Sequence, residues 1–210
     1  MSVINLKDKI GVDLLALTVD NVFTKDECDA IIADADDKEF HDEHVSKYGA
    51  VFKNENIRTD LVLSEDNRLL SHTIFMRIKE IIRTHDADTT KLSTHLKYSK
   101  YVTSGFCVPH VDKPLIKDGS MSKYTIILYL NTDSKGLTRL FNIETMKYYD
   151  VKPLCGRVLI FDQRVPYAAL NPASVKYTLR ADILVDDPYR HDTSGKIMLD
   201  NAVGSIAIID

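Results

Sequence analysis

The spacing of apolar positions changes near residue 92. Before that point helical spacing dominates, and after it strand alternation does. Val12 to Val19 is rich in β-branched residues and leucine and predicts an opening strand, which Asp20 to Thr24 closes as a turn. Thr24 and Glu27 have capping-box spacing, so a helix over about 25–35 should follow, with Cys28, Ile31 and Ile32 on its buried face. Residues 36–56 are polar and irregular. Asp60 to Leu63 reads as a short strand. Ser64 is a candidate cap for a second helix, whose apolar face is Leu69, Leu70, Phe75, Ile78, Ile81 and Ile82, ending near 83–85.

Six strand-like runs follow: Ser93 to Tyr101, Tyr124 to Leu130, Thr138 to Phe141, Lys147 to Val151, Gly156 to Phe161 and Lys176 to Val185. Many short strands after two helices predict a mostly β (α+β) fold, a sandwich or jelly roll with the helices packed outside. Ile197 to Asp210 reads as a last edge strand or a tail. No repeat, low-complexity segment or Pro/Gly-rich linker divides the chain. One domain over 1–210 is expected: an N-terminal strand with supporting helices (1–92), a β core (93–187) and a C-terminal extension (188–210).

Composition narrows the function classes. The 210 residues are 44% hydrophobic and 28% charged, enough apolar surface for a packed core rather than disorder. No apolar run approaches the roughly 20 residues of a membrane span, and no signal peptide is visible at the start. A net charge of −4 argues against a general nucleic-acid binder. Cys28, Cys107 and Cys155 are odd in number and widely spaced, which suggests neither a disulfide framework nor a zinc ribbon and fits a reducing, intracellular setting. The acids are 24 Asp against 7 Glu, a bias that loops or a metal site would each explain.

The candidate chemistry centres on Val108-Pro109-His110-Val111-Asp112. On a strand, residues i and i+2 point to one face, so His110 and Asp112 present an imidazole nitrogen and a carboxylate to one point. That pair suits a first-row divalent metal, with a third ligand from a distant strand. Alone the tripeptide is weak: 7 His among 24 Asp yield about one such pair by chance. The bland alternative is a surface His–Asp pair at a strand end.

Further motifs stand in order around it. Tyr98 to Tyr101 and Ser104-Gly105 precede Pro109 to Asp112, and Ile126 to Asn131 ends in Tyr-Leu-Asn. Gly136 to Phe141 follows, then Val151-Lys152-Pro153 with Gly156 and Phe161, and finally Lys176-Tyr177-Thr178-Leu179-Arg180-Ala181-Asp182. This series resembles the catalytic core of the prolyl 4-hydroxylase-like iron(II)/2-oxoglutarate dioxygenases. Val19 to Ile32 also resembles that family's opening strand, turn and helix.

The resemblance implies a double-stranded β-helix (a cupin-like jelly roll) with metal and cosubstrate between its sheets. It implies Fe(II), 2-oxoglutarate and O2, with ascorbate as reductant, and an unknown peptide, protein or small-molecule substrate. His110 and Asp112 match the first two metal ligands. Lys176 matches the cation that pairs with the far carboxylate of 2-oxoglutarate, and Tyr129 a tyrosine that helps hold it. Tyr101 is a weaker match to the same pocket. Arg180 shares the face of Lys176 and is a substitute partner for that carboxylate.

The pattern departs at one position. The family's third ligand is a histidine, and the spacing from both Phe161 and Lys176 puts Tyr167 there. Three readings follow. Tyr167 ligates as a phenolate, although a phenol's pKa near 10 means the metal must help remove its proton. Alternatively His110 and Asp112 hold the metal with water in third place. Or the site is dead and the domain binds a partner or small molecule. His191 follows Lys176 and Arg180, the wrong order for a ligand in this fold. The leading expectation is a dioxygenase hydroxylating an unknown substrate, a prolyl or other peptide side chain by family analogy. Its alternatives are a catalytically inactive binding module on the same fold and a metal-free, sugar-binding jelly roll.

Overall fold

A computed structural model describes residues 1–42, 45–47, 50–52, 54–87, 89–117, 119–186 and 207–209. The chain opens with β1 (Ser2–Asn5), α1 (Lys7–Ile10), β2 (Ala16–Asp20) and α2 (Lys25–Asp36). Next come β3 (His41–Asp42), β4 (Val45–Lys47), β5 (Ala50–Phe52), β6 (Leu61–Asp66) and α3 (Arg68–Arg83). The following strands are β7 (Thr89–Leu92), β8 (His95–Tyr101), β9 (Cys107–Asp112), β10 (Ile116–Lys117) and β11 (Ser120–Tyr129). Last are β12 (Thr138–Phe141), β13 (Tyr148–Val151), β14 (Val158–Asp162), β15 (Tyr167–Ala169), β16 (Lys176–Asp186) and β17 (Ala207–Ile209).

Two sheets carry the fold. The larger runs β1-β2-β14-β11-β16-β8-β6-β3, with β10 beside β11 and β7 beside β16. The smaller runs β13-β12-β15-β9-β17. All pairs among the described residues are antiparallel except β17 on β9. The architecture is the double-stranded β-helix with helices outside that the sequence predicts.

Strand alternation sorts the side chains into two layers. On β16, Tyr177, Leu179, Ala181 and Ile183 join an outer core with Cys28 and Ala35 of α2 and Ile74, Phe75, Ile78 and Ile82 of α3. The intervening Lys176, Thr178, Arg180 and Asp182 point the other way, toward the smaller sheet. On β11, Ile126 and Leu128 serve the helix side, while Ile127 and Tyr129 join Leu159, Phe161 and Tyr167 between the sheets. The helices therefore cover one face of the larger sheet and leave its polar inner row to the space between sheets.

Several boundaries differ from the sequence reading. Ser64 lies within β6, and Asn67 caps α3 by accepting from the Leu70 amide at 3.0 Å. Leu69 is 79% exposed, because it falls outside the stripe that Ile74, Ile78 and Ile82 bury. Residues 36–56 are less irregular than expected: β3 pairs with β6, and β4 with β5. At the C-terminus, β17 adds an edge strand to β9, pairing Ala207 with His110. His191 lies outside the described residues.

The start of α2 carries a full capping box. The Thr24 hydroxyl accepts from the Glu27 amide, and Glu27 accepts from the Thr24 amide at 2.9 Å. Arg77 of α3 adds hydrogen bonds of 2.6 and 2.9 Å to Glu27 and one of 3.0 Å to the Val22 carbonyl. Arg77 and the cap hold the Glu27 carboxyl down at about 2. A carboxyl lowered on folding stabilises above its unfolded pKa of about 4.3 and loses that contribution as pH falls through the folded value. Glu27→Ala should therefore cost about 1 kcal/mol at pH 7, with the exposed ion pair adding little. The gap to the parent should close as pH falls toward 2, as read by urea unfolding across pH; a gap constant with pH would contradict this.

Candidate active site

β9 and β15 are neighbours in the smaller sheet, and their register sets Tyr167 directly opposite His110. The two rings lie 4.2 Å apart between centroids. Asp112, two residues along β9, shares the face of His110 and points across at β11 and β16 of the larger sheet. All three side chains are at most 7% exposed.

The Asp112 carboxylate is fully engaged. Its Oδ2 accepts from Thr125 Oγ1 at 2.8 Å and from Arg180 Nε at 3.0 Å. The Tyr167 hydroxyl donates to both carboxylate oxygens, at 3.0 and 3.2 Å. Arg180 also donates to Asp182 at 3.0 Å, and Gln163 to the same oxygen at 2.9 Å. Burial alone would push the Asp112 carboxyl up; Arg180 first, then His110, Thr125 and Tyr167, outweigh it and leave it below the usual carboxylate range. Burial, followed by the Asp112 charge, pushes the Tyr167 phenol well above its ordinary value. The phenol is therefore neutral and a donor.

His110 is oriented from behind. Its Nδ1 lies 2.8 Å from the Val108 carbonyl and 3.5 Å from Cys107 Sγ. A carbonyl only accepts, so Nδ1 carries the hydrogen and Nε2 keeps its lone pair. Burial brings the imidazole down to about 4, so it is neutral at neutral pH. Nε2 lies 4.0 Å from Asp112 Oδ1. A histidine tied back to a carbonyl in this way is how metal-binding imidazoles are commonly held. Among the described residues, however, no group of three or more His, Cys, Asp or Glu side chains converges to hold a metal ion.

A cavity of about 40 Å³ lies above this cluster, and its walls include Arg58, Lys97, Ser99, Tyr101 and Thr178 together with His110, Asp112, Tyr167 and Arg180. A water needs roughly 10–15 Å³ by the same measure, so it has room for about three waters.

Lys176 and Tyr129 do not line the cavity. Lys176 is 1% exposed, donates to the Gly136 carbonyl at 2.9 Å and lies 4.3 Å from the centre of the Tyr101 ring. Burial pulls its amine down to about 8, opposed by the more distant charges of Asp60 and Asp133. The Tyr129 hydroxyl donates to Thr138 Oγ1 at 2.8 Å. The predicted residues thus form two groups: His110, Asp112, Tyr167 and Arg180 in one, Lys176 with Tyr101 in the other, and Tyr129 bonded apart from both.

Three contributors escaped the sequence reading. Thr125 is the polar residue of an otherwise apolar inner row on β11. Arg58 is 6% exposed and grips Asp60 through two hydrogen bonds of 2.8 and 2.6 Å at the cavity wall. Asp133 accepts from the amides of Lys135, Gly136, Ala173 and Ser174, pinning the turn whose Gly136 carbonyl receives Lys176. Their i, i+2 and Asx-turn spacings were visible, but nothing in them named a partner.

The fold is a jelly roll of the prolyl 4-hydroxylase type. A prolyl 4-hydroxylase from Pseudomonas putida superimposes with a TM-score of 0.63 at 17% identity, over 87% of this chain and 97% of its own. A prolyl hydroxylase from Trichoplax adhaerens, solved with a hypoxia-inducible-factor peptide, gives 0.61 at 14%, over 86% of each chain. A viral collagen prolyl hydroxylase from Paramecium bursaria Chlorella virus-1, solved with 2-oxoglutarate, gives 0.58 at 15%, over 81% and 96%. No family model and no curated protein sequence matches the chain. At these identities the likeness is one of fold.

Removal of the phenol hydroxyl tests the cluster. Tyr167→Phe takes a buried donor from a charged acceptor and should cost about 1–3 kcal/mol of stability, measured by urea unfolding. A variant as stable as the parent would contradict the bonding described for Asp112.

Proposed function

We propose that this chain is a prolyl hydroxylase-fold binding module, whose pocket takes a small polar ligand without iron-dependent hydroxylation. The observation that carries the reading is the Tyr167 hydroxyl on both oxygens of Asp112. A phenol oxygen lies further from its Cβ than an imidazole nitrogen does, by more than a metal–nitrogen bond of about 2 Å. Tyrosine at a histidine ligand position therefore carries its hydroxyl to about where the metal would sit. There it gives the carboxylate a proton to share instead of a cation. Arg180, 3.0 Å from the same carboxylate, supplies the neutralising charge. A divalent ion would have to displace a neutral phenol and enter beside a guanidinium. The residues present do not fit iron(II).

The pocket supports a polar ligand. Ser99 and Thr178 bring hydroxyls to a wall that also holds Arg58 and Arg180. A prolyl or other peptide substrate would be carried over from the neighbours alone.

A second reading is favoured by His110 and Lys176. The neutral imidazole with its Nε2 lone pair on the side of Asp112, and a buried ammonium bonded to the Gly136 carbonyl with no carboxylate on it among the described residues, are what an iron(II)/2-oxoglutarate dioxygenase would use. In that reading Tyr167 would turn aside, Lys176 and Tyr129 would hold the far carboxylate of 2-oxoglutarate, and ascorbate would serve as reductant.

One assay separates the two. Protein is incubated with iron(II), 2-oxoglutarate, ascorbate and air, and succinate is measured; iron(II) affinity is taken anaerobically by calorimetry. The parent should form no succinate above a protein-free control and bind iron weakly. Tyr167→His should bind it at least tenfold more tightly. Succinate from the parent that disappears in His110→Ala would overturn the proposal.

A further inference from the structure

The cavity between the sheets has two unlike ends. One end carries acceptors. His110 Nδ1 donates to the Val108 carbonyl at 2.8 Å, so Nε2 keeps its lone pair, and no donor among the described residues is bonded to it. Asp112 is bonded unequally. Its Oδ2 accepts from Thr125, Arg180 and Tyr167, whereas Oδ1 accepts from Tyr167 alone, at 3.0 Å. Oδ1 and His110 Nε2 lie 4.0 Å apart, with no donor bonded to both. The Tyr167 oxygen gives its hydrogen to Asp112 and retains lone pairs beside them.

The other end carries donors. Thr178 and Arg180 share one face of β16, and the register with β8 sets Ser99 opposite Thr178. Arg180 uses Nε on Asp112 and Nη2 on Asp182, which leaves Nη1 without a partner among the described residues. The buried Thr178 hydroxyl has none there either. Among the described residues, Thr89 Oγ1 is the one side-chain polar atom both sealed off and unpartnered. Arg180 Nη1, Thr178 Oγ1 and His110 Nε2 are therefore each open to a water-sized group. All three residues line the cavity.

The charges around the cavity are already paired: Arg58 with Asp60, and Arg180 with Asp112 and Asp182. A ligand of net charge would unbalance that buried cluster, whereas one with opposite charges at its two ends would not. We infer that the cavity takes a small zwitterion, a free α-amino acid with little or no side chain. Its ammonium donates to His110 Nε2 and Asp112 Oδ1, and its carboxylate accepts from Arg180 Nη1 and the Thr178 hydroxyl. An ammonium has hydrogens and no acceptor, and a carboxylate has acceptors and no hydrogen, so each meets the end that lacks its complement. One nitrogen at about 2.9 Å from each acceptor reaches both. Room for about three waters selects the smallest members of the class. The inference rests on the binding-module reading, since a metal between His110 and Asp112 would take the same two acceptors.

The test is calorimetry on the full chain in buffer with EDTA, titrating glycine, acetate, methylamine and acetamide separately. Glycine should bind saturably at one site. Acetate and methylamine, each lacking one charged end, should bind about tenfold more weakly, and acetamide, which has no charge, likewise. Thr178→Val replaces a hydroxyl by a methyl and leaves the Asp112 cluster in place; it should weaken glycine about fivefold. No saturable binding of glycine at tens of millimolar would overturn the inference. So would acetate, methylamine or acetamide binding as tightly as glycine. Either result, from a parent that forms no succinate with iron(II) and 2-oxoglutarate, leaves the binding-module reading standing. Succinate that disappears in His110→Ala is the separate result that would overturn that reading, and this inference with it.

Discussion

One buried carboxylate joins the two sheets. Asp112 stands on β9 and accepts from Tyr167 on β15, Thr125 on β11 and Arg180 on β16. An unpaired anion at 5% exposure would be strongly destabilising, so every strand facing it supplies a donor or a charge. The remaining inner polar row is arranged around that requirement. Arg180 neutralises Asp112 and is itself shared with Asp182, which Gln163 holds in turn. His110 stays neutral because its dry position outweighs the Asp112 charge and the Val108 carbonyl, both of which favour the charged ring.

The same strand alternation that builds the site also separates it from the rest of the molecule. Odd positions of β16 face the helices and even positions face the smaller sheet, so changes on the helix side reach the site only through backbone shifts. The Lys176 amine belongs to the inner row, yet its carbonyl partner and the Tyr101 ring seal it from the cavity. Asp133 fixes that arrangement by collecting four backbone amides from two turns.

Much of this was legible in the sequence. Alternation located β8, β11, β12 and β16 and put Lys176 and Arg180 on one face, the capping box located α2, and motif spacing singled out Tyr167, which the structure sets opposite His110. What stayed hidden was the choice of partner. Periodicity says which way Thr125 or Arg180 points but not that both converge on Asp112, since that contact spans strands 68 residues apart. The cap of α3 was misplaced because Ser64 and Asn67 are both good caps and only β6, extending to Asp66, excludes the first.

In the proposed binding module a neutral phenol stands where a metal would otherwise be held. The most direct measurement is anomalous diffraction from a crystal of the protein soaked in manganese(II). No anomalous peak is expected between His110 and Asp112, with the Tyr167 hydroxyl still within hydrogen-bond distance of both carboxylate oxygens. A peak there at appreciable occupancy, with His110 Nε2 and Asp112 as ligands and Tyr167 either coordinating it or turned aside, would contradict it.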